Sequence, residues 1–439
     1  MKRTLISETP NLIGKKIKLA GWVSVRRDHG KLIFIDLRDR TGTIQIVVIP
    51  DKKEAYQISK EIRHEYVVEI EGLVKERPGG QNKDDSAAGR VEIEAENIKI
   101  ISVVEGELPF DISQKNLEVN LPTLLDNRNL SLRNKKVNNI FKIYSQILKS
   151  YAEKMRESGF LEIKTPKIVN AATEGGANFF KIKYFKREAF LAQSPQFYKQ
   201  AGVGAFERVF EIGTVFRAEP HYTTRHVNEY ISLDAEMGFI ENFGDIMEQI
   251  TEVMKRIIND VKKNCAQELE EYPSKFLVPD NFPKIKLTEA LDILKKEYNK
   301  TVEGIDIDPE GERLISEWAQ KTYNSDFIFL THYPASARPF YTMPSSDPQW
   351  TESFDLIFRG VEIATGGQRI HDYNQLTVNM KKHHLNPKDF KHYLDIFKLG
   401  MPPHGGWGLG SERIAQKILG LASIKEAILF PRDVKRLTP

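Results

Sequence analysis

From residue 16 to 103, apolar and polar residues alternate in short runs rich in β-branched side chains, the two-residue period of a half-buried strand. The pattern predicts five strands over 16–25, 32–38, 43–49, 66–74 and 90–103. Between the third and fourth, the polar stretch 52–65 places Ala55, Ile58 and Ile62 at helical spacing, so the order is three strands, a helix and two strands. Residues 77–86 carry charge, proline and glycine without periodicity and read as an exposed loop. Beyond a connector through Pro109 and Pro122, the residues Val137, Ile140, Phe141, Tyr144, Ile147, Leu148 and Tyr151 recur at helical spacing. The remaining chain mixes long helices (243–263) with strands (208–215, 230–240 and 354–364), an α+β pattern. The expected division is a barrel over 1–103, a hinge over 104–135 and a second domain over 136–439. That second domain carries an insertion at about 265–324, which has few distinctive groups.

That order of elements fits a five-stranded OB-fold barrel, a module that commonly binds oligonucleotides. The totals limit what else the chain is. Charged residues make up 28% of it and mean hydropathy is −0.42; no run approaches the roughly 18 apolar residues of a spanning helix, so no membrane partner is expected. The amino-terminal stretch meets polar residues too early for a secretory signal, and the single cysteine, Cys265, excludes an internal disulfide and a thiolate metal cluster. A cytoplasmic protein is expected, with any metal held by oxygen or imidazole ligands. With 64 Lys and Arg against 61 Asp and Glu, net charge alone neither requires nor excludes a nucleic-acid partner.

Three segments of the second domain concentrate Arg, Glu and Gly. In the first, Phe216-Arg217-Ala218-Glu219 runs on to Arg225-His226, and a loop with two arginines and two histidines suits a polyanion; alone, it would equally be a solvated hairpin tip. In the second, Gly360 to His371, Glu362 and Thr365 offer Mg²⁺ a carboxylate and a hydroxyl, and the glycine pair beside Arg369 lets another group approach the backbone. Its plain reading is an edge strand ending in a turn. The third, Gly405 to Ala415, feeds glycines into a helix as phosphate loops do, yet lacks the Lys-Ser/Thr ending of a P-loop.

Together the three resemble the motifs of class II aminoacyl-tRNA synthetases. Motif 1 resembles Gly159 to Pro166, motif 2 Phe216 to Glu219 with Arg225 and His226, and motif 3 Gly408-Leu409-Gly410-Ser411-Glu412-Arg413. With the barrel, the resemblance is to subclass IIb and covers nearly the whole chain. Thr173 to Ala177, Gln193 to Gln200 and Gly366 to His371 are similar to its aspartyl branch. Physical logic agrees, since a buried aspartate side chain needs cationic partners, here Lys199 and Arg369.

The resemblance implies catalytic roles for Arg217, Glu362 and Arg413, and an L-aspartate site of Glu174, Gln196, Lys199, Arg217, Asp234, Thr365 and Arg369. Glu174 and Gln196 would hold the α-amino group, and Asp234 would orient the cations. It implies an ATP site of Arg217, Ala218, Glu219, Arg225, His226, Val227, Tyr230, Glu362, Gly410, Ser411, Glu412 and Arg413, with Tyr230 under the adenine. Glu362 and Thr365 match Mg²⁺ ligands. Two residues depart from the pattern: Ser411 stands where motif 3 usually has an apolar residue, and Tyr230 where phenylalanine is common. In the barrel, the resemblance assigns Phe34 to stacking on an anticodon base of tRNA, with Gln45 and Arg27 reading base edges. The competing role for Phe34 is barrel core. Motif 1 implies a homodimer. The expected function is ligation of aspartate to tRNA(Asp), with tRNA(Asn) as a possible second acceptor. Asparagine ligation, a non-catalytic tRNA-binding paralogue and an amide-forming enzyme are the rivals.

Overall fold

The computed structural model describes residues 1–78, 87–170, 179–220, 222–273, 275–302, 304 and 306–439. It divides into two compact units, Met1–Val119 and Asn120–Pro439. Glu174, with the rest of its glycine-rich stretch, and most of the 77–89 loop lie outside the described residues.

In the first unit, Lys16–His29, Leu32–Asp39, Gly42–Val48, Val91–Ser102 and Val67–Glu76 close, in that order, into a barrel. Its first strand is long enough to pair with Val67–Glu76 through one half and with Leu32–Asp39 through the other. The alternation seen in the sequence sets which side chains fill the barrel: Ile33, Ile35 and Leu37 point inward with Ile17, Leu19, Ile44, Ile46, Ile70 and Ile93. Phe34, of opposite parity, is therefore on the outer face, and the core role is ruled out for it.

The second unit is built on an eight-stranded sheet, in the order Lys284–Lys286, Phe327–Thr331, Ser353–Phe358, Val361–Arg369, His404–Gly410, Glu229–Gly238, Arg208–Phe216 and Leu161–Glu162. The interior pairs are antiparallel and the outermost pair at each edge is parallel. The long helices Lys135–Glu157 and Gly244–Asn264 bury Ile143, Ile147, Tyr151, Ile250, Met254 and Ile257 in one core with sheet residues such as Phe210, Leu233 and Trp407. Towards one edge, Ile328, Leu330 and Ile357 of the sheet form a second core with helices Leu287–Tyr298 and Pro309–Tyr323.

Two local expectations change. The strand expected over 354–364 is a hairpin, turned at Arg359 and Gly360, whose φ values of 48° and 76° suit a two-residue connection. The 120–135 part of the expected hinge belongs to the second unit. It forms the short helices Leu121–Asp126 and Arg128–Ser131, and buried Arg128 donates to the carbonyls of Ile428 (2.7 Å), Leu429 (2.8 Å) and Glu426 (3.1 Å) near the carboxyl end. Helices this short leave no periodicity to read.

Candidate active site

The antiparallel centre of the sheet brings the separated segments together. Strands Arg208–Phe216 and Glu229–Gly238 pair with Val215 opposite Tyr230, so the motif 2 loop joins their ends. Strand His404–Gly410 lies between Glu229–Gly238 and Val361–Arg369, placing Gly408 opposite both Asp234 and Thr365. The glycines are thus strand residues, not a phosphate loop. They are small because the sheet is crowded: a Cβ on Gly406 would lie 2.0 Å from the Ala235 carbonyl, and one on Gly366 2.5 Å from the Phe354 ring.

These strands, with helix Gln196–Phe206, enclose a cavity of about 220 Å³. It is lined by Gln196, Lys199, Arg217, Glu219, Arg225, His226, Val227, Tyr230, Asp234, Glu362, Thr365, Arg369, Gly410, Glu412 and Arg413 from the expected set. Ala218 and Ser411 do not line it.

At one end sits a buried charge cluster. Lys199 Nζ is 3.0 Å from Asp234 Oδ1 and 3.4 Å from Glu236 Oε2, and donates to the Trp407 carbonyl at 2.8 Å. Arg369 Nε donates to Glu236 Oε1 at 3.1 Å and Nη2 to the Gly406 carbonyl at 3.0 Å. Burial favours a neutral Glu236, but the Arg369 and Lys199 cations prevail and hold its carboxyl below the usual range. The two cations and two carboxylates balance, which makes their burial tolerable. Glu236 escaped the sequence reading, because it is two residues from Asp234 on a strand and carries no motif.

At the other end, Arg413 Nη1 donates to the Glu362 carbonyl at 2.7 Å and lies 3.4 Å from Oε2 of the same residue. Enclosure works against ionisation of Glu362, yet Arg413, Arg217 and Arg338 together hold its carboxyl below the usual range. Arg338 was also missed. It lies over the Tyr333 ring at 3.7 Å, is 2.8 Å from Asp355 Oδ1, and donates to Thr365 Oγ1 at 3.0 Å. Glu312, from helix Pro309–Tyr323 of the insertion expected to carry few distinctive groups, accepts from the Glu362 amide at 3.0 Å and pairs with Arg225. Arg217 stands 5.6 Å from the Tyr230 ring centroid. Gln196 Nε2 is buried with no partner among the described residues, the condition of a donor whose acceptor is a ligand.

Behind this end, Glu412 is almost wholly buried, and burial raises its carboxyl from 4.5 to about 7. A raised folded-state pKa adds stability that is complete below about pH 4.5 and is lost as pH rises through about 7. The span corresponds to about 3 kcal/mol. Glu412→Gln, neutral at every pH, is therefore expected to flatten that part of the melting-temperature profile between pH 5 and 8, measured by calorimetry. Profiles of equal slope would refute it.

On the barrel's outer face, Phe34 is opposite Arg27, whose Nη2 donates to Asp36 at 2.8 Å, and His29 meets Phe34 edge-on at 5.6 Å between centroids. Gln45 Nε2 donates to Glu92 at 3.0 Å, and Arg77 donates to Gln45 Oε1 at 2.8 Å. Arg27, Phe34 and Gln45 thus share a polar surface to which Arg77 and Glu92, unforeseen, also belong.

The model of class II tRNA synthetases (D, K and N) matches residues 120–434, and that of the OB-fold nucleic acid binding domain matches 17–101. The chain belongs to the class II tRNA synthetases. Relatives of this synthetase include the aspartate–tRNA(Asp/Asn) ligase of Aeropyrum pernix, 43% identical over 99% of the chain and 98% of that protein. The aspartate–tRNA(Asp) ligase of Pyrococcus horikoshii is 43% identical over 98% of each. Among solved structures, asparaginyl-tRNA synthetase from Pyrococcus horikoshii with asparaginyl-adenylate superposes with a TM-score of 0.92 at 32% identity, over the whole of both chains. Sequence likeness points to aspartate ligases, while the backbone also superposes on an asparaginyl enzyme.

Proposed function

We propose that the protein activates L-aspartate with ATP and transfers it to the 3′ end of tRNA(Asp). The observation that carries the reading is the pair of buried cations, Lys199 and Arg369, on the wall of a cavity that Arg217, Glu362 and Arg413 also line. An asparagine amide would gain little from two cations, whereas a desolvated carboxylate requires them. Glu174 and Gln196 are assigned to the α-amino group, and Asp234 to orienting Lys199, which it meets at 3.0 Å.

The aspartate α-carboxylate attacks the α-phosphorus in line. A carboxyl–phosphorus bond forms, the bond to the bridging oxygen breaks and pyrophosphate leaves. Arg217 steadies the charge on the α-phosphate and Arg413 that on the γ-phosphate, with Tyr230 beneath adenine. Arg225, His226 and Glu219 border the phosphates. The tRNA 3′-hydroxyl then attacks the adenylate carbonyl and AMP leaves. No protein nucleophile is needed for the first step.

Glu362 and Thr365 would hold Mg²⁺. Their donors are hard oxygens, the Glu362 side chain is held ionised, and 34% of it remains exposed. Among the described residues no three His, Cys, Asp or Glu side chains are grouped to hold a metal ion. Bound there, it would neutralise phosphate charge. Motif 1 supports a homodimer, and the composition a cytoplasmic enzyme.

Exchange of pyrophosphate into ATP that depends on aspartate and not on asparagine tests the amino acid; the reverse preference would overturn it. A second reading, in which tRNA(Asn) is charged as well, is favoured by the name of the Aeropyrum pernix relative. Charging both transcripts separates the two. Phe34→Ala is expected to lower kcat/KM for tRNA charging by about 10- to 100-fold, the worth of one base stacked on an aromatic ring, while exchange is retained. Equal loss of both activities would remove Phe34 from the anticodon site.

A further inference from the structure

Ser411, the residue at odds with the motif, is buried and off the cavity wall, yet its hydroxyl is at the centre of a network. Strand His404–Gly410 pairs with Glu229–Gly238 as far as Gly410 opposite Ser232. One residue further, Ser411 turns into helix Ser411–Leu419, and its backbone no longer serves the ladder. The backbone N–H and C=O of Ile231 face that end. Both are met by side chains: Ser411 Oγ donates to the Ile231 carbonyl at 2.8 Å, and the Ile231 amide donates to Glu412 Oε1 at 2.9 Å. Tyr144, from helix Lys135–Glu157, closes the group, its hydroxyl 2.8 Å from Ser411 Oγ and 3.1 Å from Glu412 Oε1.

A proton inventory fixes the roles. Ser411 has one proton and a carbonyl can only accept, so that proton goes to Ile231. Ser411 Oγ is also 2.9 Å from Glu412 Oε2, so the same hydroxyl faces both the carbonyl and the carboxyl. Each polar atom of the set thus has a partner within hydrogen-bond reach. Ile231 follows Tyr230, and Glu412 precedes Arg413, so the network joins the residue assigned beneath adenine to the one assigned to the γ-phosphate.

We infer that Ser411, with Glu412 and Tyr144, is a positioning set for ATP: by side chain it extends the sheet past Gly410 and so holds Tyr230 in register with Arg413. The inference rests on the adenine site proposed above. An apolar residue at 411 would leave the Ile231 carbonyl to other partners; here the hydroxyl supplies the order.

The test is aspartate-dependent pyrophosphate exchange by the full-length enzyme, with melting temperature measured alongside. Ser411→Ala is expected to raise KM for ATP about tenfold while KM for aspartate stays within about twofold, since an orphaned buried carbonyl disturbs only the adenine side. Ser411→Thr, which keeps the hydroxyl, should restore the parental KM for ATP. Tyr144→Phe removes one hydroxyl without altering the sheet, and should show the same split at smaller size even if Ser411→Ala does not fold. A lowered melting temperature with both KM values unchanged would reduce the set to a structural prop and overturn the inference, as would a parallel rise in both. A parent enzyme without exchange would overturn the proposed function itself, and this inference with it.

Discussion

Arg217→Lys is expected to lower kcat for aspartate-dependent pyrophosphate exchange by about 10²- to 10³-fold, with a smaller change in KM for ATP. The charge is kept, so the loss measures geometry. Guanidinium offers a planar fork to two phosphate oxygens, and the main-chain carbonyl of Arg217 accepts from Asn228 Nδ2 at 2.6 Å, which fixes the backbone behind it. Its guanidinium carbon is also 5.6 Å from the Tyr230 ring centroid, so on the proposed reading one side chain would border both the adenine and the phosphates. Lysine has neither the fork nor the flat face. The stabilisation that disappears is the part realised as charge builds on the α-phosphate, and it should appear in kcat. An Arg217→Lys enzyme with parental kcat would place the α-phosphate elsewhere, and Arg413 would be the residue to examine next.

Lys199→Met should cost both activity and stability. The ammonium is buried at 2% side-chain exposure between Asp234 and Glu236, so its removal leaves two carboxylates to share one cation. Breaking a buried pair in this way typically costs about 3–5 kcal/mol. Protonation of Glu236 would relieve part of the penalty, so the melting temperature of the variant should recover as pH falls towards 5. Exchange with aspartate should fall by more than about 10³-fold, because the substrate carboxylate would add a third anion to a cluster left with Arg369 alone. Adding Glu236→Gln restores the charge balance and should return most of the stability but not the aspartate activity. That separation distinguishes a specificity residue from a merely structural one. If the double variant regained aspartate exchange, Lys199 would be no more than the counter-ion of Glu236.

Much of the fold was legible along the chain. Strand periods predicted the barrel, and they also put Phe34 on the face opposite Ile33, Ile35 and Leu37, although only the closed barrel shows which face is the interior. Arg217, Glu362 and Arg413 could be found because motif 2, the glycine-paired strand and motif 3 each leave a local signature. Arg338, Glu236 and Glu312 left none: each acts through a partner distant in sequence, Thr365, Arg369 and Glu362 respectively.

The sequence by itself therefore determined the class of fold, the motif arginines that line the cavity and the presence of two cations suited to a carboxylate. Periodicity and local motifs are properties of consecutive residues, and they survive in one dimension. Only the tertiary structure decided that those cations are already balanced by Asp234 and Glu236, and that the glycines of motif 3 are a crowded central strand. It also gave Ser411 a place, buried off the cavity wall. Charge balance, close packing and proton sharing depend on distances across the sheet, which pairing of the strands sets and residue order does not contain.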